Sequence, residues 1–88
     1  MYKLLHIDVS KRKHKKYVAV LRNLKSGRLK HVHFGDSRYQ HYKDRTKLKH
    51  WAHLDHLDPV RLRRFRQRFK TKAKKKYSAA YFAWKYLW

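Results

Sequence analysis

The sequence contains no cysteine and no glutamate, and these two absences remove several classes of protein. Without cysteine there is no disulfide framework, no thiolate nucleophile and no zinc site built on cysteine. Without glutamate, a catalytic carboxylate pair would have to come from the 5 aspartates, and a glycosidase or a two-metal nuclease would be short of ligands. No nucleophile, base and orienting acid can be assembled from the residues present, so we expect a non-enzymatic protein without a cofactor.

Long apolar runs are also missing. The first residues lack the apolar segment of a signal peptide, and no stretch approaches the roughly 18 apolar residues that a membrane span needs. We therefore expect a soluble protein with no membrane partner.

Glycine and proline are scarce, with 2 and 1 residues, whereas disordered basic tails are rich in both and poor in aromatic residues. Here 42% of the residues are hydrophobic and 16% are aromatic. This composition predicts a chain that folds.

Positive charge is what the sequence has in excess. The 88 residues include 26 Lys and Arg, which gives a formal net charge of +21. A domain of this size has a thin core, and self-repulsion weakens it further, so a polyanion is expected to neutralise the chain. Nucleic acid is the predicted partner.

The first third has the pattern of β-structure. Residues 2–9 alternate, with Leu5, Ile7 and Val9 on one side, residues 17–22 read as a central strand, and residues 28–34 alternate again. A basic hairpin loop precedes the second strand, and a turn at 23–27 precedes the third. The pattern predicts a three-stranded antiparallel meander over about residues 2–34.

The remainder has helical spacing in short pieces, at about 46–57, 59–69 and 79–87. Asp58 followed by Pro59 is a strong helix start, and Ser78 is suited to cap the last helix. We predict a single α+β domain over 1–88, with a β-meander part (1–34), a helical part (35–88) and a basic linker (70–76).

The second of these helices carries a row of arginines. At 100° per residue, Arg61, Arg64 and Arg68 share one face, while Leu62, Phe65 and Phe69 share another. An ordinary solvated helix face would interleave Asp or Glu as ion-pair partners, and none follows Asp58 here. Because guanidinium groups suit bidentate phosphate contact, this face is predicted to bind phosphates.

Two lysine-rich runs, at 11–16 and 70–76, predict affinity for phosphates without base recognition; both also resemble nuclear import patches. The full set of predicted nucleic-acid-binding residues is Arg61, Arg63, Arg64, Arg66, Arg68, Lys70, Lys72, Lys74, Lys75, Lys76, Lys11, Arg12, Lys13, Lys15, Lys16, Arg38, Lys43 and Arg45.

Residues 34–45 alternate Arg and Tyr with turn residues, which could form a base-stacking surface. The interpretation we favour is that Tyr39 and Tyr42 cover the thin core, while Asp36 and Asp44 bind local amides or arginines. Among the histidines, three at successive i+3 steps in 50–56 could suggest zinc, but they drift around a helix, so no metal site is predicted.

Several spaced motifs carry a family resemblance: Phe34-Gly35-Asp36, then Tyr39-Gln40-x-Tyr42-Lys43-Asp44, Asp55-His56-x-Asp58 and a final Tyr86-Leu87-Trp88. Over about residues 15–88 the chain resembles a family of small basic proteins of nucleocytoplasmic large DNA viruses. It departs from that pattern where Arg68 is followed by Phe69 and not by histidine.

The resemblance implies an internal, genome-associated virion protein, present in the host nucleus or the cytoplasmic viral factory. The leading hypothesis is a non-enzymatic protein that neutralises and organises packaged double-stranded DNA through sequence-independent phosphate contacts. The alternatives are a ribosomal-type RNA-binding protein and a minor capsid or core protein that contacts other virion proteins.

Overall fold

The computed structural model describes residues 1–88 and contains an antiparallel sheet followed by two helices. The strands are β1 (Tyr2–Val9), β2 (Lys15–Asn23) and β3 (Leu29–Asp36), in the spatial order β1-β2-β3. The predicted α+β class and the meander are therefore confirmed.

The face assignment in β1 is wrong over residues 2–5, because Tyr2 and Leu4 pack against the core and Leu5 does not. Leu4 pairs with Leu21 and His6 pairs with Val20, so Leu5 is an extra residue in a β-bulge. The bulge turns Leu4 toward the core side together with Ile7, while Leu5 stays 39% exposed. A strict alternation cannot show such a bulge, because the bulge changes which residues share a face.

The turn predicted between β2 and β3 is present. The side chain of Asn23 accepts hydrogen bonds from the amides of Lys25 and Ser26, at 2.9 and 3.2 Å. Gly27 then takes a φ of +72°, which is the left-handed conformation that glycine adopts readily.

The two helices are α1 (Pro59–Ala73) and α2 (Ala79–Tyr86). Both predicted caps are confirmed: the carboxylate of Asp58 accepts from Val60 N at 2.9 Å, and the hydroxyl of Ser78 accepts from Tyr81 N at 3.1 Å. The helix α1 continues past the predicted end at 69, so residues 70–73 are helical and the predicted linker 70–76 is wrong over those residues. Lysines are good helix formers and suit the negative end of the helix dipole.

The helix predicted at 46–57 is wrong. Only a 3₁₀ turn, Ala52–Leu54, forms there. The backbone leaves helical geometry within this segment, since Lys49 has a φ of +53°. The amide of Trp51, which a helix would bond to a carbonyl one turn earlier, donates instead to the hydroxyl of Tyr17 at 3.2 Å and to the carboxylate of Asp44 at 3.3 Å. Leu48 and Leu57, which that helix would have turned inward, are 45% and 56% exposed.

The core lies between one face of the sheet and α2. Its fully buried members are Tyr17, Ala19, Leu21, Phe34, Phe82 and Leu87. The rings of Phe34 and Phe82 stack with centroids 5.6 Å apart, which fixes α2 against β3. Neither helix is long and apolar enough to cross a membrane.

Candidate nucleic-acid interface

The basic helix α1 lies on the outside of the domain, and none of its residues is buried. It is attached through the end of the chain: the ring of Phe65 stacks on that of Trp88 with centroids 4.3 Å apart. Arg66 Nη2 also donates to the main-chain oxygen of Trp88 at 2.9 Å. These contacts hold one side of α1 and leave most of its arginines in solvent.

Arg61, Arg64 and Arg68 form the predicted row. All three are exposed, and with Phe65 and Trp88 they line a shallow depression of about 360 Å³. Arg61 Nη1 donates to the side-chain oxygen of Gln40 at 2.9 Å, a neutral partner that leaves the charge uncompensated. The arrangement is a row of guanidinium groups beside an aromatic edge.

Almost none of the positive charge is paired within the chain. Of the 26 Lys and Arg residues, Arg38 alone has a carboxylate within 4 Å, that of Asp36 at 2.8 Å. The hydrogen bonds from Arg38 hold the pKa of the Asp36 carboxyl at about 2. Since the other cations have no such partner, the field outside the domain is strongly positive and would attract a polyanion.

The fold brings two separately predicted basic regions together. Lys15, at the start of β2, lies with Arg68, Lys72 and Lys75 around a cleft of about 800 Å³ between α1, α2 and the end of the sheet. The hairpin loop of Lys11, Arg12 and Lys13 precedes β2, and its residue His14 accepts a hydrogen bond at its carbonyl from Ser37 N at 3.2 Å. The basic hairpin and the C-terminal half of α1 therefore lie at the same end of the sheet.

Most of the remaining predicted residues are exposed and available to a partner: Arg63, Lys70, Lys74, Lys76, Lys43 and Arg45. Arg45 lies over the ring of Tyr42, 5.9 Å from its centroid. Arg66 is half-buried, with its guanidinium 5.1 Å from the Trp84 ring, and it serves to attach α1.

Lys16 is removed from the predicted set, because it is only 2% exposed. Its ammonium lies 2.7 Å from Nδ1 of His41, and Nε2 of His41 lies 2.5 Å from a carboxylate oxygen of Asp55. His41 is itself fully buried. Lys16 therefore ties β2 to the following segment, and its buried ammonium is out of reach of a phosphate at the surface.

A second buried group lies beside this chain. The hydroxyl of Tyr17 donates to the carboxylate of Asp44, which also accepts from the hydroxyl of Thr46 at 2.6 Å. Trp51 joins them through its indole nitrogen, which donates to the carbonyl oxygen of Lys16 at 3.0 Å. The prediction that Asp44 binds local groups is confirmed, and so is that for Asp36. Tyr39, by contrast, is 64% exposed and does not cover the core.

Burial shifts the pKa values of these groups. It lowers the pKa of the Lys16 ammonium to about 8, although Asp36, Asp44 and Asp55 oppose the shift. It raises the pKa of Tyr17 to about 12, with a further contribution from Asp44. The pKa of Asp44 is lowered because hydrogen bonds from Thr46 and Tyr17 outweigh the effect of its burial. The carboxylates of the network therefore stabilise the charged form of Lys16 against the effect of its burial.

A comparison with known protein families finds a match for one part of the chain. Residues 5–46 match the model of DUF5754, a family of unknown function. The match takes in most of the meander and extends through His41 and Asp44, and it ends before α1. No curated protein and no solved structure matches the chain.

No feature of the sequence indicates the buried network directly. Lysine, histidine and aspartate are usually surface residues, and no spacing marks Lys16 apart from its exposed neighbours. The weak signal was the short supply of acids, which implied that each aspartate has a structural partner. The histidines at 50–56 are not brought together: no group of three or more His or Asp side chains is placed to hold a metal ion.

Proposed function

We propose that the protein is a non-enzymatic DNA-binding protein that neutralises and organises double-stranded DNA through sequence-independent contacts with phosphates. The observation that carries the proposal is the exposed row of Arg61, Arg64 and Arg68, beside the aromatic edge through which Phe65 and Trp88 attach the helix. The row extends over roughly 10 Å of the helix, at a rise of about 1.5 Å per residue.

Two further features support sequence-independent binding. The basic hairpin and the lysines of α1 add charge at the same end of the sheet, and lysine acts on phosphate as a point charge without reading bases. The buried chain of Lys16, His41 and Asp55 supports a structural role for these residues and not a catalytic one, since Lys16 and His41 are 2% and 0% exposed and a substrate could not reach them.

The resemblance to small basic proteins of large DNA viruses supports a more specific setting. In that setting the protein is internal to the virion and associated with the packaged genome, and it reaches the DNA in the host nucleus or the viral factory. Condensation of a genome needs many weak, similar contacts, which an unpaired cationic surface provides.

The test is the affinity for a short DNA duplex, measured against salt concentration. The logarithm of the binding constant should fall steeply with the logarithm of salt, by about 0.9 for each phosphate contacted. In the triple variant Arg61→Ala, Arg64→Ala, Arg68→Ala the slope should decrease by about 2.7, if each arginine contacts one phosphate.

A matched control removes the same formal charge elsewhere. Arg22, Lys25 and Arg28 are exposed near the β2–β3 turn, at the end of the sheet away from Lys15. Their triple alanine variant should keep a slope closer to that of the native protein. Equal decreases of the slope in the two variants would show that binding depends on net charge alone and would contradict the assignment of the arginine row as the binding site. Much tighter binding to structured RNA at the same salt would instead favour an RNA partner.

A further inference from the structure

The cleft between α1, α2 and the end of the sheet has an interior that phosphate binding does not require. Its walls include the rings of Phe65, Phe69 and Trp88, together with Ala83 and Leu87 from the end of α2. Phe69 and Phe65 lie with their centroids 4.5 Å apart, so the three rings form a continuous aromatic series. We call this space the aromatic cleft; its volume of about 800 Å³ is in the range of small-ligand sites.

The rim of the aromatic cleft is cationic. Arg68, Lys72, Lys75 and Lys15 line it, and the charged groups of Arg68 and Lys72 lie over the ring of Phe69, 5.1 and 5.6 Å from its centroid. The one carboxylate among the lining residues, that of Asp36, is held by Arg38 through two hydrogen bonds of 3.0 and 2.8 Å. An apolar aromatic interior with an unpaired positive rim is complementary to a ligand that has a flat aromatic part and a negative part.

Tyr39 lies at the mouth of the same cleft and is 64% exposed. Its hydroxyl makes no hydrogen bond within the protein, and its ring takes no part in the core cluster. The guanidinium of Arg38 lies 5.7 Å from the ring centroid. With most of its surface in solvent, the ring of Tyr39 is available to a stacking partner.

We propose that the aromatic cleft binds an unpaired base of a single-stranded DNA segment. The base stacks on Tyr39 and enters toward Phe69, and the phosphates on either side of it lie on Arg68, Lys72 and Lys75. Aromatic side chains beside a cationic track are the usual means of holding single strands, because every base has a face that can stack. The bases of an intact duplex are already stacked and paired, so they cannot occupy the cleft.

This inference rests on the proposed function and assigns a second binding mode to the same surface. The arginine row would hold the backbone of a duplex, and the aromatic cleft would hold a melted or terminal base. Such a protein prefers single-stranded ends and opened regions over uninterrupted duplex wherever both are present.

The test compares two strands that carry equal charge. One is a short oligo(dT), and the other is an abasic deoxyribose phosphate strand of the same length, labelled in the same way and measured by fluorescence anisotropy at one salt concentration. We expect oligo(dT) to bind about tenfold more tightly, the difference that one stacked base provides.

Variants of Tyr39 and Phe69 test whether the preference for oligo(dT) arises in the aromatic cleft. Tyr39→Leu should remove most of the preference for oligo(dT) and leave the affinity for the abasic strand unchanged, while Tyr39→Phe should keep the preference because it retains the ring. Phe69→Leu tests the interior of the cleft in the same way, and circular dichroism confirms that each variant is folded.

The outcomes separate this inference from the proposed function. If the abasic strand and oligo(dT) bind equally tightly, with a steep dependence on salt, the cleft does not hold a base and only the present inference fails. Retention of the preference in both Tyr39→Leu and Phe69→Leu would also overturn it. If neither strand nor duplex binds with salt dependence, the proposed function itself is wrong.

Discussion

The rings of Phe65 and Trp88 lie face to face, with an interplanar angle of 3° and centroids 4.3 Å apart. This contact joins the middle of α1 to Trp88, two residues beyond the end of α2. Because α1 has no buried residue, its position depends on this stack, on the hydrogen bond from Arg66 and on the contact of Arg66 with the Trp84 ring. The main cationic element of the protein is therefore attached along one edge, through Phe65 and Arg66.

Replacing Phe65 by alanine should destabilise the protein by about 1 to 3 kcal/mol. A phenylalanine enclosed in a core costs roughly 3 to 5 kcal/mol, and Phe65 is only half-buried. The comparison is Phe34→Ala, since Phe34 is fully buried in the core. Urea unfolding followed by circular dichroism gives both free energies, and equal losses in the two variants would contradict the peripheral position of α1.

The sequence was most informative where local chemistry decides the structure. The caps of both helices follow from Asp58 and Ser78 alone, because each side chain bonds amides within its own first turn. The turn after β2 follows from Asn23 and Gly27 for the same reason. The row of Arg61, Arg64 and Arg68 follows from helical geometry once the helix start is known.

The sequence was least informative where residues that are far apart in the chain come into contact. Lys16 and His41 are far apart in the chain, and nothing in either neighbourhood indicates that they share a buried hydrogen bond. Contacts of this kind also explain the failed helix at 46–57, because Tyr17 and Asp44 bind the amide of Trp51, which a helix would have used. The exposed ring of Tyr39 contradicts the interpretation we favoured, in which an aromatic residue of a thin domain covers the core.

The two glycines offer a matched pair of substitutions. Gly35 and Gly27 have φ values of +76° and +72°, so alanine is strained to a similar extent at both. A Cβ at Gly27 would meet nothing within 4 Å, whereas at Gly35 it would lie 2.8 Å from Leu87 Cδ1 and 3.2 Å from Lys16 Cβ. Gly35 therefore has a packing role as well as a conformational one.

Gly27→Ala should cost about 1 to 2 kcal/mol, the usual penalty of the left-handed conformation. Gly35→Ala should cost a further 1 to 3 kcal/mol or so, because it also overpacks the contact between β3, Lys16 and the end of α2. Unfolding in urea at one pH measures the difference between the variants. If the two glycines are equally tolerant of alanine, the close approach at Gly35 is wrong.

The buried histidine predicts a loss of stability in mild acid. Burial, together with the nearby charge of Lys16, lowers the pKa of His41, although Asp55 partly opposes the shift. Between its folded pKa and the unfolded value of about 6.5, the unfolded chain binds more protons, so stability falls as pH decreases through this range. The pKa values of His33 and His56 are lowered as well, chiefly by burial, and they add to the same slope.

Replacing His41 by glutamine should isolate its share of that slope. Glutamine keeps an amide donor for Asp55 but does not titrate, so the variant should be less stable than the native protein at pH 7 and lose less stability between pH 7 and pH 5. His53→Gln makes the same substitution at an exposed histidine and is the matched control. The measurement is the urea midpoint at several pH values, and parallel pH profiles for the native protein and His41→Gln would show that His41 does not control this loss.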